Sequence, residues 1–119
     1  MKNTPECPAE RAIYFLGGKW KIRIVFLLYQ NKKNRFGEIK KLFKTITPQM
    51  LSKQLKELEI DGLINRKVYQ VVPPKVEYSL TEFGTSVIPI LKSFSDWNKK
   101  NNRTISSKLN KNFEESRIR

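Results

Sequence analysis

Gln49, Lys53 and Lys56 stand at four- and three-residue steps, a spacing that puts all three on one face of a helix. A primary amide placed there can pair bidentately with adenine, and an ammonium can reach guanine or a phosphate. Thr47, Pro48, Met50, Ser52 and Gln54 complete the candidate base-contacting segment. A second polar group follows: Arg66, Lys67, Gln70 and Lys75 bracket Pro73-Pro74, and Arg35 lies upstream. These five are candidates for contacts to phosphates or the minor groove, which position a protein without conveying sequence. Either group would also suit an ordinary solvated surface, so the elements that carry them must decide.

Helical signals dominate the chain up to Gly62. Pro8 suits a first helical position, and Ala12, Ile13, Phe15 and Leu16 supply an apolar face before Gly17-Gly18. Trp20, Ile24, Leu27 and Leu28 keep helical spacing. Asn31 to Asn34 is polar and reads as a loop, with Lys32 and Lys33 as further cations. Phe36, Ile39, Leu42 and Phe43 predict a short helix. Thr47-Pro48 is a cap followed by a first-turn proline, and Met50, Leu51, Leu55 and Leu58 predict a helix over 48–60 and are expected to face inward at least in part.

Beyond Gly62 the period changes. Leu63 to Val72 alternates as a strand does, Pro73-Pro74 blocks further pairing, and Lys75 to Leu80 resumes as a second strand. Thr81 caps a last helix with Phe83, Val87, Ile90, Leu91, Phe94 and Trp97 as its stripe, and Pro89 inside it predicts a bend. That stripe is more apolar than a terminal helix of a small domain needs, so these six residues are candidate dimer contacts. The expected division is a domain over 1–98 and a basic polar tail over 99–119 with a short helix around Leu109 and Phe113.

The expected fold is mainly α with a small β-hairpin. It is a winged helix-turn-helix: three helices, a two-stranded wing and a C-terminal dimerisation helix. In that arrangement the second helix of the pair 36–43 and 48–60 enters the major groove. The charge agrees: 24 Lys and Arg against 11 Asp and Glu give +13 in 119 residues. Such a field favours polyanions, either nucleic acid or an anionic membrane surface. The excess is not confined to one end, since residues 1–98 hold 17 basic and 9 acidic residues and 99–119 hold 7 and 2.

Other classes of function lack their residues. With no histidine and one cysteine, the common zinc ligands, the usual general base and any internal disulfide are missing. No phosphate-binding glycine loop or nucleophile motif occurs, so neither an enzyme nor a cofactor is expected. No apolar run approaches the roughly 20 residues of a membrane span, and no signal-peptide core follows Met1. The expected location is the cytoplasm, without a membrane partner.

The chain resembles the HxlR-type winged helix-turn-helix regulators of bacteria. The resemblance rests on Cys7-Pro8, Leu16-Gly17-Gly18-Lys19-Trp20, Arg35-Phe36-Gly37-Glu38-Ile39, Ile46-Thr47-Pro48-Gln49-Met50-Leu51-Ser52, Leu55-Lys56-Glu57-Leu58-Glu59, Asp61-Gly62-Leu63-Ile64 and Val72-Pro73-Pro74-Lys75-Val76-Glu77-Tyr78-Ser79-Leu80-Thr81. It covers about residues 7–98. It implies a homodimer, joined through the first and last helices of the domain, that binds operator DNA and represses or activates nearby genes. It also implies that Cys7 is a candidate sensor of electrophiles or oxidants, because some members sense through a cysteine in this Cys-Pro position. A helix N-terminus and Arg11 favour the Cys7 thiolate, while Glu6 and Glu10 oppose it; an unreactive packed cysteine is the plainer alternative. Nothing in the sequence identifies a small-molecule effector. The competing function, suggested by charge alone, is a non-specific nucleic-acid-binding or architectural protein.

Overall fold

The computed structural model describes residues 6–118, with side chains as far as residue 112. Two compact units divide the chain, one ending at Ser86 and one beginning at Val87. The first holds α1 (Pro8–Ile13), a 3-10 turn (Tyr14–Leu16), α2 (Lys21–Asn31), β1 (Lys33–Arg35), α3 (Phe36–Leu42), α4 (Pro48–Ile60), β2 (Ile64–Tyr69), β3 (Lys75–Leu80) and α5 (Glu82–Ser86). The second holds α6 (Ile88–Lys100) and α7 (Asn102–Ile118). The expected fold class holds: a helical domain carries an antiparallel wing. Among the described residues, no helix is long and apolar enough to cross a membrane.

The core of the first unit is built from one face of each element. Ile24, Val25 and Leu28 of α2, Ile39 of α3, and Leu51, Leu55 and Leu58 of α4 are buried, together with Ile46, Leu63, Ile64 and Tyr78. Each large aliphatic side chain so buried contributes about 1.5–3 kcal/mol. Both ends of α4 are closed. The Thr47 hydroxyl accepts the Met50 amide at 3.1 Å, and Pro48 has no amide to leave unpaired. At the other end Gly62 takes φ 79°, a left-handed conformation that favours glycine. There the Leu63 amide reaches the Leu58 carbonyl at 2.9 Å and the Gly62 amide reaches Glu59 at 3.0 Å. This is a Schellman stop with its apolar pair, Leu58 and Leu63, buried beneath it.

Several expectations change in detail. The four helical segments expected before Gly62 all form, one more than the three of the winged helix-turn-helix description. The first ends at Ile13, and of its expected apolar face only Leu16, in the 3-10 turn, is buried. The polar stretch 31–34 is not wholly a loop. Lys32 turns the chain at φ 65°, and Lys33–Arg35 pairs antiparallel with β3, giving a three-stranded sheet in the order β1-β3-β2. Three residues are too few for an alternating pattern to show. The strand expected over 63–72 is Ile64–Tyr69; Val72 is fully exposed. Pro89 does not bend one helix but separates two. Within a continuous helix it would remove the amide that bonds the Thr85 carbonyl and crowd that carbonyl. α5 instead stops at Ser86 and Pro89 sits in the first turn of α6. Residues 102–118 form a full helix rather than a short one.

Thr81 joins the wing to α5. Its amide donates to the Leu63 carbonyl at 3.0 Å. Its hydroxyl donates to the Gly62 carbonyl at 2.6 Å and accepts the Gly84 amide at 2.9 Å. Gly84 lies so close that a Cβ there would collide with the Leu63 carbonyl oxygen. Gly84→Ala should therefore destabilise by about 1–3 kcal/mol, and Thr81→Val by about 1–2 kcal/mol through loss of the cap. Urea unfolding checks both; an unchanged midpoint for Gly84→Ala would show that α5 can move away without cost.

Candidate nucleic-acid interface

α4 separates its two faces along its length. Leu51, Leu55 and Leu58 are buried, while Gln49, Ser52, Lys53 and Lys56 are exposed at i, i+3, i+4 and i+7. Thr47 and Pro48 are exposed at its start. Met50, expected to face inward in part, is exposed at 37%. Gln54 is half-buried, with its Nε2 3.3 Å from the Met50 sulfur and its Oε1 buried without a hydrogen-bond partner among the described residues. Of the eight candidates on this segment, Gln54 is thus the least available to a base. The turn before α4 is pinned by buried Ile46, whose amide donates to Phe43 at 3.0 Å.

An ion pair absent from the sequence reading holds α4 to α2: Lys21 Nζ lies 2.9 Å from Glu57 Oε2. Lys21 hydrogen-bonds the Glu57 carboxyl and holds it below the usual glutamate range, its charge and that of Lys53 adding to the effect. The sequence signal was only a lysine opening an apolar helix.

The sheet sorts its polar residues by register. Arg35 and Lys67 both stand opposite Glu77, Lys33 opposite Ser79, and Lys75 opposite Tyr69. Cross-strand partners share a face, so Lys33, Arg35, Lys67 and Lys75 surround Glu77 on one side. Glu77 Oε2 lies 3.9 Å from Lys33 Nζ and 3.8 Å from Lys75 Nζ. The Tyr69 hydroxyl donates to the carboxylate, and its ring lies 4.8 Å from Lys67 Nζ and 4.9 Å from Lys75 Nζ. The Tyr69 hydrogen bond is the largest cause holding the Glu77 carboxyl down, with Lys33, Lys75 and Arg35 adding to it against desolvation. Four cations are thus arrayed around one buried acid. Arg66 is not among them: it stands opposite Tyr78, on the other face. Gln70 is exposed beyond the end of β2. The sequence reading missed Tyr69 and Glu77, since alternation places them only once the register is known.

The candidate dimer stripe is divided. Leu91 is buried and Val87 half-buried, whereas Phe83, Ile90, Phe94 and Trp97 are exposed at 51%, 54%, 54% and 61%. Ile90, Phe94 and Trp97 recur at i, i+4 and i+7 on α6. Buried Ile88 was not foreseen in the stripe. Cys7 is exposed at the start of α1. The backbone amides of Glu10 and Ala9, in the first turn of α1, hold its thiol below its ordinary pKa. Arg11 meets Cys7 through its amide, which donates to the Cys7 carbonyl at 3.0 Å.

The sequence profile described as HxlR-like helix-turn-helix matches residues 15–106. An uncharacterized HTH-type transcriptional regulator of Bacillus subtilis (strain 168), YdeP, is 51% identical over 94 residues, covering 79% of this chain and 73% of that protein. Among solved structures, the redox regulator HypR in its reduced form matches with a TM-score of 0.75 at 44% identity, over 85% of this chain and 99% of that one. Its oxidized form matches with a TM-score of 0.68 at 46% identity, over 80% and 97%.

The Glu77 cluster has a pH signature. A carboxyl whose folded pKa is depressed contributes stability that is present above its unfolded pKa and lost as pH falls through the folded value. Glu77→Gln should lower stability at neutral pH and make the loss between about pH 5 and pH 2 shallower than in the wild type. Denaturant midpoints across that range measure it; parallel curves would mean that Glu77 is not linked to its cations.

Proposed function

Because the chain belongs to the HxlR-like helix-turn-helix family, we propose that it is a transcriptional regulator that binds a pseudo-palindromic operator in duplex DNA as a homodimer. The carrying observation is the exposed face Gln49, Ser52, Lys53 and Lys56, opposite a fully buried leucine stripe. A rigid helix with that division can present amide and ammonium groups to base edges. The four cations around Glu77 take the backbone, where charge sets affinity rather than specificity. The exposed Ile90, Phe94 and Trp97 supply the contact with a second copy, and a dimeric reader meets half-sites one helical turn, about 34 Å, apart.

Selection of sites from random duplexes, followed by competition, tests this reading. The selected site should bind at least about a thousandfold more tightly than random DNA; equal affinity would leave a non-specific, architectural binder. Gln49→Ala should cost about 1–3 kcal/mol on the selected site and relax preference at one base position. Lys67→Ala should weaken all duplexes alike and reduce the salt slope by about one.

Cys7 is the proposed point of control. A peroxide converts its thiolate to sulfenic acid with loss of hydroxide or an alcohol. Condensation with a second thiol, from another Cys7 or a small thiol, then yields a disulfide and water. Oxidant should change operator affinity in the wild type and not in Cys7→Ser, with a mass shift or crosslink confined to the wild type. A wild type whose Cys7 oxidises without any change in affinity would remove the sensing role.

A further inference from the structure

We propose that α7 is a second phosphate-contacting surface, engaging duplex DNA through Arg103, Lys108 and Lys111. Between Asp96 and Glu114 the chain carries Lys99, Lys100, Arg103, Lys108 and Lys111 and no Asp or Glu. All five are exposed and form no ion pair among the described residues. Helix stability accounts for part of this set. Lys99 and Lys100 close the last turn of α6, where cations offset the helix dipole. Arg103 lies in the first turn of α7, where that dipole disfavours a cation. Lys108 and Lys111 sit well inside the helix, away from either end.

The arrangement around α7 names the partner. At about 100° per residue, Asn110, Arg103, Ser107, Lys111, Thr104 and Lys108 follow one another around an arc of roughly 160°. Each is a cation or a neutral hydrogen-bonding side chain, and all are exposed. Lysine, arginine, serine, threonine and asparagine are the groups that contact DNA phosphates. From Arg103 to Lys111 the helix rises about 12 Å, a length over which a duplex carries several phosphates. The remaining arc shows only Ile105, half-buried, and Leu109 as apolar described residues, among Asn102, Ser106 and Asn112. Phe113 is the next apolar position in sequence; three such positions on an arc of about 80° are narrower than the apolar face of a helix lying in a membrane interface, so the partner proposed is a nucleic acid rather than a lipid surface. Residues 107–118 lie beyond the stretch matched by the family profile.

The inference rests on duplex DNA being the partner. Its test compares the full chain with Arg103→Gln/Lys108→Gln/Lys111→Gln, in which glutamine keeps helix propensity and circular dichroism verifies the helix. Affinity for the selected site and for random duplex is measured from about 0.05 to 0.3 M salt. The expected result is a salt slope smaller by about 0.9 per lost contact, with both duplexes weakened by about tenfold or more at low salt and their ratio unchanged. An unchanged slope overturns the proposal. An unchanged slope with a weakened dimer overturns it in favour of a subunit contact. An unchanged slope with lost binding to phosphatidylserine vesicles overturns it in favour of a membrane surface. Should the wild type bind all duplexes equally, the operator reading fails while a reduced slope still supports this one. A wild type that binds no duplex sinks both.

Discussion

The burial of one leucine stripe governs this structure. Leu51, Leu55 and Leu58 are all but removed from solvent, which sets the rotation of α4 about its own axis. A turn of 100° would put Ser52, Lys56 and Glu59, or Met50, Gln54 and Glu57, in the place of the three leucines, at a cost of several kcal/mol for the buried charge alone. The exposed face is therefore a consequence of the buried one. Thr47 and Gly62 set where the helix begins and ends, and the Lys21–Glu57 pair ties its flank to α2. None of these residues needs to touch a base for the proposed reading of bases to depend on it.

The sheet follows a second constraint, electrostatic rather than apolar. β3 is its central strand, paired on both sides, so each of its outward residues meets neighbours from two strands. Glu77 occupies the place where cations from β1, β2 and β3 itself converge. Four like charges so close together would repel; one carboxylate among them, hydrogen-bonded by Tyr69, lets the array form while leaving it net positive. A fully neutralised face would have no pull on a phosphate, and an uncompensated one would splay its lysines. The buried acid sets a middle course.

Much of this was legible in the sequence, and the failures share a cause. α4 could be read because its stripe, its cap and its stop are all local signals within sixteen residues, and each agreed with the others. Lys75–Leu80 was legible by alternation. β1 was not, because a three-residue strand owes its existence to a partner more than forty residues away. The same holds for Glu77 and Tyr69: no local pattern tells which residues of three strands will meet, and Arg66 was grouped with Lys67 although adjacent strand residues point to opposite faces. Pro89 was read as a bend because the apolar spacing runs through it, and spacing carries no information about the lost hydrogen bond at Thr85. The exposure of Ile90, Phe94 and Trp97 likewise follows from tertiary packing, which periodicity cannot divide between core and partner.

The energetics of recognition explain why such a reader works in pairs on the proposed reading. A good bidentate contact is worth about 1–3 kcal/mol of discrimination. One α4 offers few groups able to make it: Gln49 by its amide, and Lys53 or Lys56 if they reach guanine rather than phosphate. That amounts to two contacts, about 2–6 kcal/mol, whereas separating one site from a genome of competitors takes about 4–10 kcal/mol. Raising the charge cannot close this gap, because added cations strengthen specific and random binding alike. A second copy can, since it doubles the base contacts and demands that two half-sites occur at one spacing. On the proposed reading, the exposed apolar groups on α6 are thus as much a part of sequence recognition as the amide on α4: without a second copy, a chain of charge +13 would bind DNA readily and read little of it.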